Sequence, residues 1–253
     1  MSKLPTHDAA HGFVPGRSTI TNAAPHQGAV LLVKTDLRDF FPTVHYRRVA
    51  GLFAQCGYGE EVASLLAALT THRPRLANGR VVWPGALPQG APTSPAIANL
   101  VCRRLDARLA GLAARVGATY TRYADDLTFS FRAEPSKGVG RFFWWVDQVC
   151  QQEGFVENVA KRRVLRPSNQ QRVTGVVVNA GMTVPREARR AFRATLANCR
   201  RHGIDAQARG REGFRAYLQG FAAYVKMVQP EHGAALVREV RELLRAEKVD
   251  ATE

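Results

Sequence analysis

At 253 residues and 45% hydrophobic composition, the chain has material for a real core, in one large domain or two small ones. Its 36 Lys and Arg outnumber 21 Asp and Glu, and the net charge of +15 points to a polyanionic partner, nucleic acid before an anionic membrane surface. No apolar run is long enough to span a bilayer, no signal-peptide core opens the chain, and Cys56, Cys102, Cys150 and Cys199 lack the spacing of a zinc site or disulfide framework; the expectation is a cytoplasmic protein with reduced thiols and no membrane partner.

Residues 1–28 are polar and rich in turns. Pro15-Gly16-Arg17-Ser18 reads as a turn, with Ser18 capping a short helix through Asn22-Ala23-Ala24. Arg17 suits a phosphate contact and a solvated loop about equally. Residues 29–37 form a nearly continuous apolar run that ends on Asp36, the pattern of a strand buried on both faces. An acid at the end of such a strand is costly to bury alone, so Asp36 calls for a cation or a capping role. Pro42 requires the strand to end near Phe40-Phe41.

Residues 43–56 and 60–71 have helical periodicity. Val44, Val49, Leu52 and Phe53 line the apolar face of the first; Val62, Leu65, Leu66 and Leu69 line that of the second. Arg80-Val81-Val82-Trp83 predicts a short strand. Residues 87–95 form an extended loop fixed by its prolines. Ser94 at the N-cap and Pro95 at N1 then open a helix to about Arg115, with Ile97, Leu100, Val101, Leu105 and Leu109 as its stripe.

Ala118-Thr119-Tyr120-Thr121 and Leu127-Thr128-Phe129-Ser130-Phe131 are strand-like, and Tyr123-Ala124-Asp125-Asp126 between them reads as a tight turn. Two adjacent carboxylates repel unless something cationic offsets them. A divalent metal is one compensation, and hard oxygen ligands suit Mg²⁺; a solvated turn, where Asp-Asp is common, is the other. Residues 136–153 predict an amphipathic helix burying Phe142, Trp145, Val146 and Val149. Lys161-Arg162-Arg163 follow, and residues 170–179 predict one arm of a hairpin.

From Pro185 the chain reads as helical, over 186–201, 212–228 and 231–247. In the first of these, Ala188, Ala191, Phe192, Leu196 and Cys199 share a face. Arg186, Arg189, Arg190, Arg193, Arg200 and Arg201 lie mostly away from it, a density that suits tracking of phosphates. The order of elements predicts an α+β fold, an antiparallel sheet with helices on one face, with a boundary near residues 182–184 before a helical C-terminal domain.

Carboxylates from adjacent strands can hold two metal ions, one activating an attacking hydroxyl and the other neutralising a leaving phosphate. Asp36, Asp125 and Asp126 are the candidates. A lysine that protonates departing pyrophosphate would help; Lys161 is placed for that, and equally for a plain surface position.

These residues carry a resemblance. Thr35-Asp36-Leu37-Arg38-Asp39-Phe40-Phe41 resembles reverse transcriptase motif A, Leu87 to Pro95 motif B and Tyr123-Ala124-Asp125-Asp126 motif C, and Lys161 falls where motif D places its lysine. Asn22-Ala23-Ala24-Pro25-His26 and Val173-Thr174-Gly175 are similar to signatures of bacterial retron reverse transcriptases. The match runs from about residue 5 to the C-terminus.

The resemblance implies an RNA-directed DNA polymerase. Its organisation would be a residual fingers segment (1–28), a palm (29–183) and a helical thumb (184–253). Asp36, Asp125 and Asp126 would ligate two Mg²⁺, with Mn²⁺ as a substitute and the Leu37 carbonyl assisting. The backbone at Asp39 and Phe40 would face the triphosphate of a dNTP, Phe41 would gate against a 2′-OH, and Gln89 and Gly90 would contact nucleotide and template. RNA contacts are expected from Arg17, Asn22, His26, Val173, Thr174, Gly175, Arg189, Arg193 and Arg200. The implied partners are a cognate structured non-coding RNA, the RNA/DNA hybrid and an effector protein. The implied product is a branched RNA–DNA hybrid, in phage defence.

The resemblance also implies basic fingers residues ahead of the Gly12-Phe13-Val14-Pro15-Gly16-Arg17-Ser18 segment, whereas this sequence begins just before it. Alternatives are a catalytically impaired RNA-binding scaffold, and another class such as a group II intron reverse transcriptase or maturase, or a palm-type nucleotide cyclase. Cyclases lack a Gln-Gly motif B and a basic helical thumb, and maturases usually add a DNA-binding or endonuclease region.

Overall fold

The computed structural model describes residues 4–75, 78–81 and 83–250. Ser18 caps a short helix, α1 (Thr19–Ala23). Its hydroxyl accepts from the N–H groups of Ile20 and Thr21, while the Thr21 hydroxyl oxygen accepts from the Ser18 N–H. A 3₁₀ turn at Ala24–His26 leads to β1 (Leu31–Asp36), which is buried on both faces as its apolar run requires. Pro42 then lies inside a four-residue helix, α2 (Phe40–Thr43), entered through Asp39 at φ 47°.

Helices α3 (Tyr46–Gln55) and α4 (Glu60–Thr70) pack on each other. α3 buries Val49 and Phe53 as expected. α4 does not bury its predicted stripe: Val62, Leu65 and Leu69 are 48%, 60% and 73% exposed, while Ala63 and Ala67 face the core. Apolar residues occupy most of this helix's circumference, and the alanine side lets backbones approach more closely. Among the described residues of the strand predicted at 80–83, no strand element forms. Val81 makes a bridge to Arg75, and Val82 lies outside the described residues.

The helix predicted from Ser94 to Arg115 is two helices, α5 (Ser94–Val101) and α6 (Arg103–Arg115), broken at Cys102. Thr93, not Ser94, holds the N-cap position. The buried Ser94 hydroxyl instead donates to the Pro88 carbonyl (2.7 Å), closing the loop ahead of α5. β2 (Ala118–Tyr123) and β3 (Asp126–Phe131) form the expected hairpin. α7 (Gly138–Gln152) buries Phe142, Phe143 and Val146; Trp145 and Val149 are half-buried. β4 (Arg163–Leu165) is an edge strand. β5 (Arg172–Val173) and β6 (Val176–Val177) are both arms of a small hairpin turning at Thr174-Gly175, rather than a single arm.

The main sheet is antiparallel in the order β2-β3-β1-β4. Side chains alternate across it, so Leu31, Val33, Leu127, Phe129 and Phe131 share one face. That face packs on α5, α6 and α7. The Phe142 ring stands edge-on to Phe129 and Phe131 at 5.0 and 5.1 Å, contacts of about 0.5–1.5 kcal/mol each beyond their buried area. The opposite face is covered in part. Leu32 meets Ala23, Val173, Val176 and Val184, together with Val225 and Val228 from the helical region.

That region comprises α8 (Arg186–His202), α9 (Ile204–Ala208), α10 (Phe214–Val228) and α11 (Pro230–Asp250). Phe192, Leu196, Phe214 and Leu218 form its own core, whereas Ala191 is exposed. α10 and α11 meet so closely that a Cβ on Gly233 would lie 2.1 Å from the Lys226 Cα. Among the described residues no helix is long and apolar enough to cross a membrane.

Candidate active site

Asp36 is the last residue of β1 and Asp126 the first of β3, and the antiparallel register sets them directly opposite each other. Strand alternation puts both on the face away from α6 and α7. Asp125 sits in the connecting turn, and its carbonyl accepts from the Leu37 N–H (3.0 Å), which locks the end of β1 to the turn. Lys161 reaches the same place from a 3₁₀ turn (Val159–Lys161) ahead of β4, its Nζ 2.5 Å from Asp36 Oδ2. Four residues spread over 126 positions of sequence therefore meet at one end of the sheet.

The electrostatics of this cluster are those of crowded acids. The Asp125 pKa is raised by burial, and further by the charges of Asp126 and Asp36. The Lys161 pKa is raised by its hydrogen bond to Asp36 and by the same negative charge. Asp36 is 4% exposed, and its Oδ1 is buried with no hydrogen-bond partner. A buried carboxylate oxygen without a donor is unfavourable until a cation or a donor reaches it. The donor set, three carboxylates beside the Leu37 backbone, is all hard oxygen and fits Mg²⁺ or Mn²⁺. As the side chains stand, no group of three or more His, Cys, Asp or Glu among the described residues converges to hold a metal ion. In this arrangement Asp36 Oδ2 is paired with Lys161.

A buried network beneath the turn went unread in the sequence. Arg122 and Asp106 form an ion pair with both side chains fully buried, Nε donating to Oδ1 (2.8 Å) and Nη2 to Oδ2 (2.7 Å). The Tyr120 hydroxyl donates to Asp106 Oδ1 (2.9 Å). Arg122 Nη1 donates to Asn99 Oδ1 (3.0 Å) and to the Ala124 carbonyl (2.8 Å), one residue before Asp125. Ala124 has φ 55°, in the left-handed region, so the turn is held in a conformation its side chain does not favour. Asn99 Nδ2 in turn donates to the Gly12 carbonyl (2.8 Å). Gly12 packs so tightly on the turn that a Cβ there would lie 2.6 Å from the Ala124 nitrogen. The readable signal was Asp106, which falls on the apolar stripe of α6 between Leu105 and Leu109.

The remaining expected site residues divide by accessibility. Asp39 is exposed, the Phe40 side chain is buried against Phe155, and Phe41 is half-buried, edge-on to Phe40 (5.2 Å). Gln89 and Gly90 are exposed on a loop that the Leu87 N–H ties to the Val44 carbonyl (3.1 Å), just past α2. Arg193 and Arg200 are exposed on α8, Arg200 paired with Glu239 (2.5 Å); Arg189 is half-buried with its Nε unpartnered.

Asn22, His26 and Val173, expected to meet RNA, are buried, at 1%, 0% and 0% exposure. They form a joint. Asn22 Nδ2 meets Thr174 Oγ1 (3.5 Å), and Thr174 Oγ1 donates to the Thr19 carbonyl (3.0 Å). The His26 ring bridges Ser130 Oγ and Thr121 Oγ1, both at 2.7 Å. Burial lowers the His26 pKa to about 3, so the ring is neutral. Gly175, at φ 85°, supplies the turn that only glycine enters without strain. Arg17 is half-buried and paired to the exposed Asp8 (3.2 Å).

The profile of the family described as reverse transcriptase (RNA-dependent DNA polymerase) matches residues 3–178. The chain is 45% identical over 265 residues to the retron Mx162 reverse transcriptase of Myxococcus xanthus, covering 96% of this chain and 54% of that one. It is 47% identical over 245 residues to the retron Mx65 reverse transcriptase of the same organism, covering 94% and 56%. Against the retron Ec86 reverse transcriptase of Escherichia coli it is 32% identical over 244 residues, covering 96% and 70%. The chain thus spans about half the length of the two Myxococcus relatives.

Proposed function

The chain belongs to the reverse transcriptase (RNA-dependent DNA polymerase) family, in its retron type, and we propose that it copies an RNA template into DNA at the Asp36–Asp125–Asp126 cluster. The observation that carries this reading is the register: Asp36 opposes Asp126 across β1 and β3, with Asp125 bonded to the same strand end. Residues 29–183 act as the palm, 184–253 as the thumb and 1–28 as part of the fingers. A pair of Mg²⁺ ions held by the three carboxylates and the Leu37 carbonyl supplies, when bound, acidity for the attacking hydroxyl and charge neutralisation for the leaving group.

The chain's own groups do the rest. Arg122 and Gly12 hold the turn so that Asp125 and Asp126 need no reorganisation. Lys161 exchanges Asp36 for the triphosphate oxygens of a dNTP, and its ammonium gives a proton to pyrophosphate as the P–O bond breaks. Asp39 and Phe40 face the phosphates through their backbone, Phe41 lies under the sugar and excludes a 2′-OH, and Gln89 with Gly90 meets nucleotide and template. Thr174 and Gly175, with Arg189, Arg193 and Arg200, lie along the path of the duplex. In keeping with the retron type, the template is the protein's own structured non-coding RNA, the product is a branched RNA–DNA hybrid, and an effector protein completes a cytoplasmic system for phage defence.

The test is extension of an annealed primer on an RNA template in Mg²⁺, with RNA affinity measured in parallel. Asp125→Asn with Asp126→Asn is expected to abolish extension and leave affinity nearly unchanged. Extension equal to wild type would reject the proposal, and wild-type RNA binding without any extension would favour a scaffold.

A further inference from the structure

Helices α6 and α7 part on their outer side to form a cleft of about 960 Å³, separate from the acid cluster. β2 leads from the end of α6 to the turn, so the Arg115 end of the cleft and the acids are separated by about 20 Å, six strand residues at ~3.3 Å each. Its lining includes Arg108, Arg115, Lys137, Trp144, Trp145 and Gln148, and among the described residues no Asp or Glu. The acids next to lining residues in sequence have partners of their own: Asp106 pairs with Arg122, Asp147 accepts from Gln151, Glu153 pairs with Arg104 and Arg108, and Glu134 with Arg166. Trp144 is 50% exposed, a large apolar surface to leave in water. Arg141 stands over both indoles, 5.0 Å from Trp144 and 5.7 Å from Trp145, and Lys137 Nζ lies 5.6 Å from Trp145.

We propose that this cleft is a second nucleic-acid site, one that takes a single-stranded segment. Arg115 and Lys137, with no carboxylate in the lining, select a polyanion, and the exposed Trp144 indole offers a surface on which an unpaired base stacks. In a duplex the bases already stack on one another, so Trp144 has nothing to receive there. The volume, near the top of the ~300–1,000 Å³ range of ligand pockets, admits a strand. The site holds template or product that has left the acid cluster. Its existence does not depend on that cluster being active.

The experiment is photo-cross-linking of the full chain to a short oligothymidylate carrying 4-thiothymidine, with adducts mapped by mass spectrometry. Adducts are expected within residues 108–152, at Trp144, Trp145 or Lys137, competed by single strands and not by duplex. Trp144→Ala is expected to reduce adduct yield at limiting protein about fivefold or more, the weakest expected effect of losing one base stack. Arg115→Glu, a surface change that leaves the core intact, is expected to do the same and to weaken the salt dependence. Adducts confined elsewhere, equal competition by duplex, or unchanged yield in both variants would overturn the site. So would a bound protein segment whose affinity is indifferent to salt. Primer extension by Trp144→Ala is expected at the wild-type rate, so loss of adducts and loss of polymerase activity remain separate results.

Discussion

Replacing Arg122 by Leu removes the guanidinium that holds the acid-bearing turn from below. Asp106 would keep the Tyr120 hydroxyl as a donor but lose its buried cation. Breaking a buried ion pair from one side costs about 3–5 kcal/mol, because the other charge is stranded. Asn99 Oδ1 and the Ala124 carbonyl lose a donor as well, but these losses share one side chain and are not summed. For a chain of this length the loss corresponds to a fall in Tm of about 6–20 °C, at roughly 2–4 °C per kcal/mol. Urea unfolding followed by circular dichroism measures the stability, and primer extension measures the turn. Arg122→Leu combined with Asp106→Leu removes both charges together, so its stability is expected to lie above that of Arg122→Leu alone. Extension should stay slow in both variants, because neither restores the bond to Ala124. Losses that simply add in the double variant, or full extension by Arg122→Leu, would refute the reasoning.

His26 titrates at about 3 when folded and near its ordinary 6.5 when unfolded. Between these values only the unfolded chain takes up the proton, so stability contributed by this ring is present above pH 6.5 and lost as pH falls toward 3. From pH 7 to 4.5 the loss is about 2–3 kcal/mol, expected in the wild type and absent from the pH dependence of His26→Gln. Gly12→Ala sets a methyl 2.6 Å from a backbone nitrogen and is expected to cost about 1–3 kcal/mol in urea unfolding. It should also slow extension by displacing the turn; unchanged extension would detach Gly12 from the site. Phe41→Ala is expected to admit ribonucleotides in single-nucleotide incorporation assays, and unchanged discrimination would remove its assignment as a gate.

The elements with strong local signals were legible. β1 announced itself by a nearly continuous apolar run ending on Asp36, and the hairpin by two strand-like segments flanking Ala124-Asp125. What periodicity alone misjudged was α4, where apolar residues surround the helix and packing, not pattern, chose the alanine side. Ser94-Pro95 looked like a cap because local rules favour it, yet the loop's own carbonyl claimed the Ser94 hydroxyl. The Asp106–Arg122 pair was invisible to local reasoning because its partners lie 16 residues apart on different elements. The Asn22, His26 and Val173 signatures marked residues that join α1, the β5–β6 hairpin and the sheet from inside, a tertiary role that no local pattern spells out.

The account turns on Asp36 and Asp126 acting as one ligand set. Mn²⁺ titration followed by electron paramagnetic resonance, in the presence of a dNTP, measures that unit for the wild type, Asp36→Asn, Asp126→Asn and the double variant. Each single substitution is expected to abolish tight binding as completely as the double, since half a shared site holds nothing. Undiminished binding by Asp36→Asn, or losses from the two positions that are independent and additive, would contradict it.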